Sequence, residues 1–147
     1  MKLSTRTRYG LRAILDLAMN FGKEPILLKD IARREEISER YLEHIVLSLK
    51  AAGLVKSVRG SHGGFMLAKP PQGIKVSEII NALEGSLCLV ECVDDPTTCS
   101  RIDNCVTREI WQDLKKSMEA VLESRNLQDL VDKKMTKKQN NKNMYFI

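Results

Sequence analysis

The sequence predicts a mainly α-helical fold with one small β-hairpin and a long helix near the C-terminus. Apolar residues recur at helical spacing over residues 5–20, 39–50 and 106–124. On both sides of a glycine-rich hexapeptide at 59–64, the helical spacing of apolar residues gives way to short apolar runs typical of strands. A hydrophobic fraction of 43% in 147 residues is sufficient for a packed core, which argues against wholesale disorder.

Three successive helices are predicted in the first 53 residues. Gly22 ends the first helix, and a brief helix follows over about 30–35. Ser38 is a favourable N-cap for the third helix, and Gly53 is placed to follow its last turn. The apolar stripes are Leu11, Ile14, Leu15 and Ala18 in the first helix, and Leu42, Ile45, Val46 and Leu49 in the third.

A β-hairpin is predicted next, with strands at Leu54–Val58 and Phe65–Ala68. The segment between them is Arg-Gly-Ser-His-Gly-Gly, and three glycines in six positions indicate a tip that needs positive φ. A short helix at Val76–Leu83 is closed by Gly85. The order helix, helix, turn, helix and hairpin is that of a winged helix-turn-helix. We therefore predict a DNA-binding domain at residues 1–85.

The candidate DNA contacts lie on the third helix and on the hairpin tip, which would form the wing. In this fold the second helix of the helix-turn-helix pair enters the major groove. Polar side chains there can hold phosphates or read base edges, and an arginine on a wing can enter a narrow minor groove. The alternative is an ordinary solvated helix face. The candidates are Arg40, Tyr41, Glu43, His44 and Ser48 on the helix and Arg59, Ser61 and His62 on the tip.

The charge distribution favours a polyanionic partner for the first part of the chain. Residues 1–85 carry 14 Lys/Arg against 9 Asp/Glu, whereas residues 86–132 carry 5 against 10. Residues 133–147 carry 5 lysines and no acid, and we predict a disordered basic tail there. Double-stranded DNA is the expected partner of the basic first part.

A dimerisation helix and a short packing helix are predicted at residues 106–132. Trp111, Leu114, Met118 and Val121 repeat at intervals of 3, 4 and 3, which is nearly a coiled-coil seam. A small protein has little else to bury such a seam against, so we predict a homodimer. Asn126 can cap the short helix.

The four cysteines, Cys88, Cys92, Cys99 and Cys105, lie within residues 86–105, which we interpret as a sensor loop. Clustered cysteines in an intracellular chain bind metal or sense redox state more often than they form disulfides. The last three are spaced for an iron–sulphur loop, whereas Cys88 stands in an apolar context typical of a core residue. A zinc site using Cys88-x₃-Cys92 and a thiol–disulfide switch remain alternatives.

Five stretches resemble the winged-helix family of iron–sulphur transcription regulators typified by IscR and NsrR. This resemblance covers residues 1–132 and implies a homodimer whose DNA binding depends on a 2Fe-2S or 4Fe-4S cluster held by Cys92, Cys99 and Cys105. It also implies DNA contacts from Tyr41, Glu43, His44 and Arg59. The stretches are MKLSTRTRYG, ISERYLEHIV, GLVKSVRGSHGGFML, the C-x₆-C-x₅-C run and CVTREIWQDL.

The sequence departs from the family pattern at the fourth cluster ligand. Arg108 stands where the cluster-assembly regulator has a histidine, and Arg8 where some nitric-oxide sensors have an aspartate. An arginine side chain stays protonated and is a poor substitute for imidazole. The fourth ligand is left open between Cys88, a nearby carboxylate and an exogenous thiol.

Several function classes are disfavoured. No secretory signal and no apolar run of roughly 20 residues is present, so we expect a cytoplasmic protein without a membrane partner. No nucleophile–base pairing or phosphate loop is evident, so we expect neither an enzyme nor a small-molecule substrate. A non-DNA interaction module that docks through residues 111–121 is a further alternative.

Overall fold

The computed structural model describes residues 2–145 and confirms a mainly helical fold with one two-stranded antiparallel hairpin. Short 3-10 turns lie at Pro71–Gly73, Pro96–Thr98 and Ile102–Asn104. The helices and strands are α1 Thr5–Met19, α2 Leu28–Glu35, α3 Glu39–Ala51, β1 Val55–Val58, β2 Gly64–Leu67, α4 Val76–Glu84, α5 Glu91–Asp94, α6 Val106–Glu123 and α7 Leu127–Met144.

Side-chain caps set where three of the helices begin. Ser4 caps α1 by accepting a hydrogen bond from the Thr7 amide, and Ser38 caps α3 in the same way from the Tyr41 amide. Asn126 caps α7 in a reciprocal box with Asp129. Each cap satisfies amides that have no partner within the helix. The predicted caps at Ser38 and Asn126 are therefore confirmed.

The core lies where α1, α2, α3 and α4 converge, with β1, β2 and the first turn of α7 closing it. All four predicted stripe residues of α3 are fully buried. In α1 the buried face is rotated by part of a turn from the predicted stripe. Leu17 is buried, whereas Leu11 and Leu15 pack at the edge of the core. The largest fully buried side chains are Ile14, Leu17, Ile31, Leu42, Ile45, Leu49, Leu67, Ile74, Ile79 and Leu127.

The wing is joined to the helical core by a third backbone segment. β1 pairs with β2 from Val55↔Leu67 to Val58↔Gly64. Phe65 also exchanges two hydrogen bonds with Ile26, at N···O distances of 2.8 and 2.9 Å. A Cβ at Gly64, whose φ is +151°, would overlap the Ile26 carbonyl group, so this close approach requires glycine. The wing is thereby held against the connection between α1 and α2.

The C-terminal segment differs from the expected disordered tail. α7 does not end before Lys133 but continues to Met144. Leu127, Leu130 and Val131 pack on the core and fix the first turns of the helix. These contacts complete the costly nucleation of the helix. The lysine, methionine and glutamine residues that follow then favour its propagation. Over residues 2–145 no helix has both the length and the apolar character that crossing a membrane would need.

Candidate nucleic-acid interface and cysteine loop

The exposed face of α3 presents the four side chains of the predicted recognition surface. Arg40, Tyr41, Glu43 and His44 are all exposed, while the opposite face of the helix is buried in the core. The structure therefore brings these four residues onto one accessible surface. Ser48, one turn after His44, is half-buried and donates to the His44 carbonyl at 3.3 Å.

A chain of contacts from α2 through α1 supports the Tyr41 ring. Its ring meets Tyr9 edge-on, with 6.1 Å between centroids and an interplanar angle of 79°. The Arg12 guanidinium lies 5.5 Å from the Tyr9 centroid, and its Nε donates to Glu35 Oε2 at 3.1 Å. Aromatic and cation–π contacts of this kind restrict side-chain freedom. Sequence reasoning missed Tyr9 and Arg12, although their i, i+3 spacing places them on one side of α1.

The basic start of α1 also contacts the recognition helix. Arg6 donates from its Nη2 to the Ser48 hydroxyl, and its buried Nε has no hydrogen-bond partner among the described residues. The neighbouring residues Thr7 and Ser4 donate hydrogen bonds to Glu84, the last residue of α4. Those bonds lower the pKa of the Glu84 carboxyl group. One short stretch of α1 therefore joins α3 to the point where the cysteine loop begins.

The wing tip carries three predicted DNA contacts on an open turn. Arg59, Ser61 and His62 are exposed, and the turn is closed by a Gly63 N–H donating to the Gly60 carbonyl at 3.0 Å. Gly60 adopts φ of +108°. Near the tip end of β1, Lys50 of α3 donates to the Ser57 hydroxyl at 2.8 Å. This bond links the recognition helix to the wing.

The four cysteines are free thiols on the loop between α4 and α6. Cys99 is exposed, whereas the other three are half-buried. Cys88 is not a fully buried core residue as its apolar context suggested, and its Sγ contacts the Val90 carbonyl at 2.6 Å. Lys115 of α6 pairs with Asp94 at 2.6 Å and lowers the pKa of that carboxyl group. This pair holds α5 against α6.

Cys105 and Arg108 lie at the start of α6, and Arg108 contacts α5. The Thr107 hydroxyl lies 3.4 Å from Cys105 Sγ and, with the Arg108 backbone N–H, lowers the pKa of this thiol. A depressed pKa increases the thiolate fraction near neutral pH. Arg108, at the position where the family resemblance implied a histidine ligand, donates from Nε to the Cys92 carbonyl at 3.1 Å. Arg108 therefore forms a structural hydrogen bond to α5 at the position where a metal ligand was implied.

The predicted cluster ligands do not form a preassembled metal site. Within residues 2–145, no three Cys, His, Asp or Glu side chains converge closely enough to hold a metal ion. Cys99 follows the Pro96–Thr98 turn and is exposed, whereas Cys92 lies in α5 and Cys105 precedes α6. In this arrangement the three thiols belong to different turns of the loop and do not surround a single metal ion.

An unpartnered apolar stripe runs along α6. Ile110 is 54% exposed and Val121 is 57% exposed, with Val106 and Leu114 on the same side. No residue of α6 is fully buried. Trp111 and Met118, which the seam prediction included, are half-buried against the chain itself. A groove next to the stripe is lined by Leu3, Ile80, Leu87, Met118, Val121 and Leu122.

Comparison with known proteins decides the family. Residues 3–133 match the Rrf2 family, described as iron-dependent transcriptional regulators. The chain belongs to the Rrf2 family. It is 42% identical over 131 residues to the protein rrf2 of Nitratidesulfovibrio vulgaris, covering 89% of this chain and 87% of the relative. It is also 41% identical over 130 residues to the HTH-type transcriptional regulator CymR of Bacillus subtilis, covering 88% and 89%.

Solved structures agree with the winged-helix fold. The structure of CymR, called the global cysteine regulator of B. subtilis, has a TM-score of 0.76 and 39% identity, covering 90% of this chain and 97% of that chain. The structure of T. potens IscR has a TM-score of 0.75 and 44% identity, covering 90% and 88%. This Rrf2-family chain is a transcriptional regulator, and its relatives CymR and IscR are named as transcriptional regulators.

Proposed function

We propose that this Rrf2-family regulator binds a palindromic operator as a homodimer, through α3 and the wing, in the cytoplasm. The observation that carries the proposal is the exposed face of α3, where Arg40, Tyr41, Glu43 and His44 stand together on a helix anchored to α1. A recognition helix must present polar side chains from a rigid support to read base edges. The contacts of Tyr9 and Arg6 supply that support.

Each candidate contact has a distinct expected role. Arg40 and His44 can donate to phosphates or to purine acceptors, and Tyr41 to a phosphate. Glu43 can accept from a cytosine amino group and otherwise repels phosphate, so it selects among sequences more than it strengthens binding. We expect Ser61 and His62 to contact the DNA backbone and Arg59 to enter the minor groove.

The apolar stripe of α6 supports the dimer. Several large apolar side chains on one side of a helix are costly to leave in water and are typical of a protein interface. A second copy presents the same stripe and can cover it with two-fold symmetry, as most homo-oligomers do. Two α3 helices related by that symmetry would read half-sites about one helical turn apart.

Arg59→Ala tests the wing contact. Loss of one good arginine contact should weaken operator binding by about 1–3 kcal/mol, while the exposed tip leaves the fold unchanged. Affinity is measured by fluorescence anisotropy on a duplex that the wild-type chain selects from a random library. Arg125→Ala, which removes an equal charge at the junction of α6 and α7, is the matched control and should bind normally. Normal binding by Arg59→Ala would mean that the wing does not contact DNA.

We further propose that the loop at residues 86–105 receives the regulatory signal and that Cys92, Cys99 and Cys105 bind an iron–sulphur cluster after the loop rearranges. Three thiols on one loop and 44% identity to T. potens IscR support this proposal. The second candidate is a thiol redox switch. It is favoured by the four free thiols, by the lowered pKa of Cys105 and by the similarity to CymR.

Anaerobic purification distinguishes the two candidates. A cluster predicts iron and sulfide bound to the chain, visible absorption, and loss of both in Cys92→Ser, Cys99→Ser and Cys105→Ser. Cys88→Ser is the matched control, and loss of absorption in this variant would make Cys88 the fourth ligand. A chain free of iron whose DNA affinity changes with thiol oxidation would support the switch. One zinc per chain would establish a structural metal site and contradict both candidates.

A further inference from the structure

The C-terminal half of α7 is a strongly basic segment outside the family domain. The family match ends at residue 133, whereas α7 continues to Met144. Residues 133–147 contain five lysines and no acidic residue. Neither the winged helix nor the cysteine loop accounts for this charge. The lysines are Lys133, Lys134, Lys137, Lys138 and Lys142.

The helix gathers four of these lysines on one side. Lys134, Lys138 and Lys142 are spaced by four residues, and Lys137 follows Lys134 by three. At 3.6 residues per turn these positions span an arc of about 140°. Lys137, Lys138 and Lys142 are exposed, whereas Lys134 is half-buried. We call these four residues the lysine stripe.

The lysine stripe begins at the helix-turn-helix itself. Lys134 Nζ lies 3.8 Å from Glu35 Oε1. Glu35 is the last residue of α2, three positions before the Ser38 cap of the recognition helix. The same carboxylate holds Arg12, which supports Tyr41 through Tyr9. The first lysine of the stripe is therefore paired with α2, the helix that precedes the recognition helix in the helix-turn-helix.

Beyond this contact the side chains of α7 are exposed to solvent. Residues 135–144 rise about 1.5 Å each and so extend the helix by about 15 Å past Lys134. Within residues 2–145, Lys137, Lys138 and Lys142 have no carboxylate within 4.0 Å. Unpaired ammonium groups this close together repel one another, and a polyanion relieves that repulsion. In the proposed function, the polyanion that binds at the helix-turn-helix is the operator duplex.

We propose that Lys137, Lys138 and Lys142 bind DNA phosphates that flank each operator half-site. The inference rests on the proposed function, since it requires α3 to bind DNA. The stripe supplies affinity without reading sequence, because ammonium–phosphate contacts act mainly through counterion release. The partner is the phosphate backbone of the same duplex.

The test uses the full-length triple variant Lys137→Gln, Lys138→Gln, Lys142→Gln, which removes three charges and keeps helix propensity. The matched control is Gln139→Ala, Asn140→Ala, Asn143→Ala, which changes the same helix and no charge. Affinity is measured between about 50 and 200 mM salt, the range in which phosphate contacts are most apparent. Two duplexes are used: the library-selected operator trimmed to its half-sites, and the same operator with about one helical turn added on each side.

On the longer duplex the lysine variant should bind roughly tenfold or more weakly than wild type. The slope of log affinity against log salt should become shallower by about 2 or more, since each lost phosphate contact removes about 0.9. The control variant should match wild type, and on the trimmed duplex the lysine variant should approach wild type. Preference for the operator over scrambled DNA should be unchanged.

Three outcomes would overturn the inference. The first is that the lysine variant and wild type have the same affinity and the same salt slope on the longer duplex. If wild type still binds the operator sequence-specifically, the proposed function stands and only this inference fails. Failure of wild type to discriminate the operator from scrambled DNA would overturn both. Lysine-dependent binding to phosphatidylserine vesicles, with DNA binding unaffected, would assign the stripe to a membrane surface.

Discussion

Replacing Ile110 and Leu114 with glutamate should yield monomers and lower operator affinity by about 10²-fold or more. Both side chains are exposed on the α6 stripe, so the substitutions leave the monomer core intact. In a dimer they would bury carboxylates in an apolar interface, which is strongly unfavourable. A monomer reaches one half-site only and loses the gain in effective concentration that comes from linking two. Light scattering and anisotropy titration measure the two effects.

Lys116→Glu is the matched control for this variant. It changes the net charge by the same amount, at an exposed position of α6 about 120° around the helix from Ile110. This variant should remain a dimer and bind the operator nearly as well as wild type. Retention of the dimer by the Ile110, Leu114 variant would place the interface on another surface of the chain.

Gly64→Ala should destabilise the fold by about 2–4 kcal/mol and weaken DNA binding through the wing. At φ of +151° an alanine is strained, and its Cβ would overlap the Ile26 carbonyl group. The obstacle is backbone, which cannot move aside as a flexible side chain can. The two hydrogen bonds between Ile26 and Phe65 would be disrupted, and the hairpin would separate from the core. Urea unfolding measures the free energy of unfolding.

Gly73→Ala provides the comparison. A Cβ at Gly73 meets nothing within 4 Å, and Gly73 is not among the positive-φ glycines. The free energy of unfolding of this variant should differ from wild type by well under 1 kcal/mol. A Gly64→Ala protein as stable as Gly73→Ala would mean that the Ile26–Phe65 pairing contributes little to the position of the wing.

Local patterns were sufficient to predict much of the helix-turn-helix. Ser38 identifies the start of α3 because its hydroxyl can cap only the first turn, and the 3.6-residue period of Leu42, Ile45, Val46 and Leu49 identifies the buried face. Once that face is known, the exposed face is known as well. Arg40, Tyr41, Glu43 and His44 follow from it without any tertiary information.

Other features depend on contacts between distant segments. The tail after Lys133 has the composition of a disordered segment, yet α7 continues because packing of Leu127 and a contact with Glu35 fix its first turns. Cys88 has the local context of a core residue but is half-buried, because the loop that carries it lies against the surface of α6. Local composition contains no information on which distant surface a segment meets.

The sequence by itself determined the helix-turn-helix, the hairpin with its glycine tip, the polar face of α3 and the family. These features arise from periodicity, caps and turn residues, which act over a few neighbouring positions. Only the tertiary structure decided that Tyr9 and Arg6 support the recognition helix and that Arg108 bonds the Cys92 carbonyl. It also showed that the thiols do not surround a metal ion among residues 2–145 and that the lysine stripe begins with a contact to Glu35. Those arrangements depend on side chains that meet only after the chain folds, because the contacts join residues far apart in the sequence.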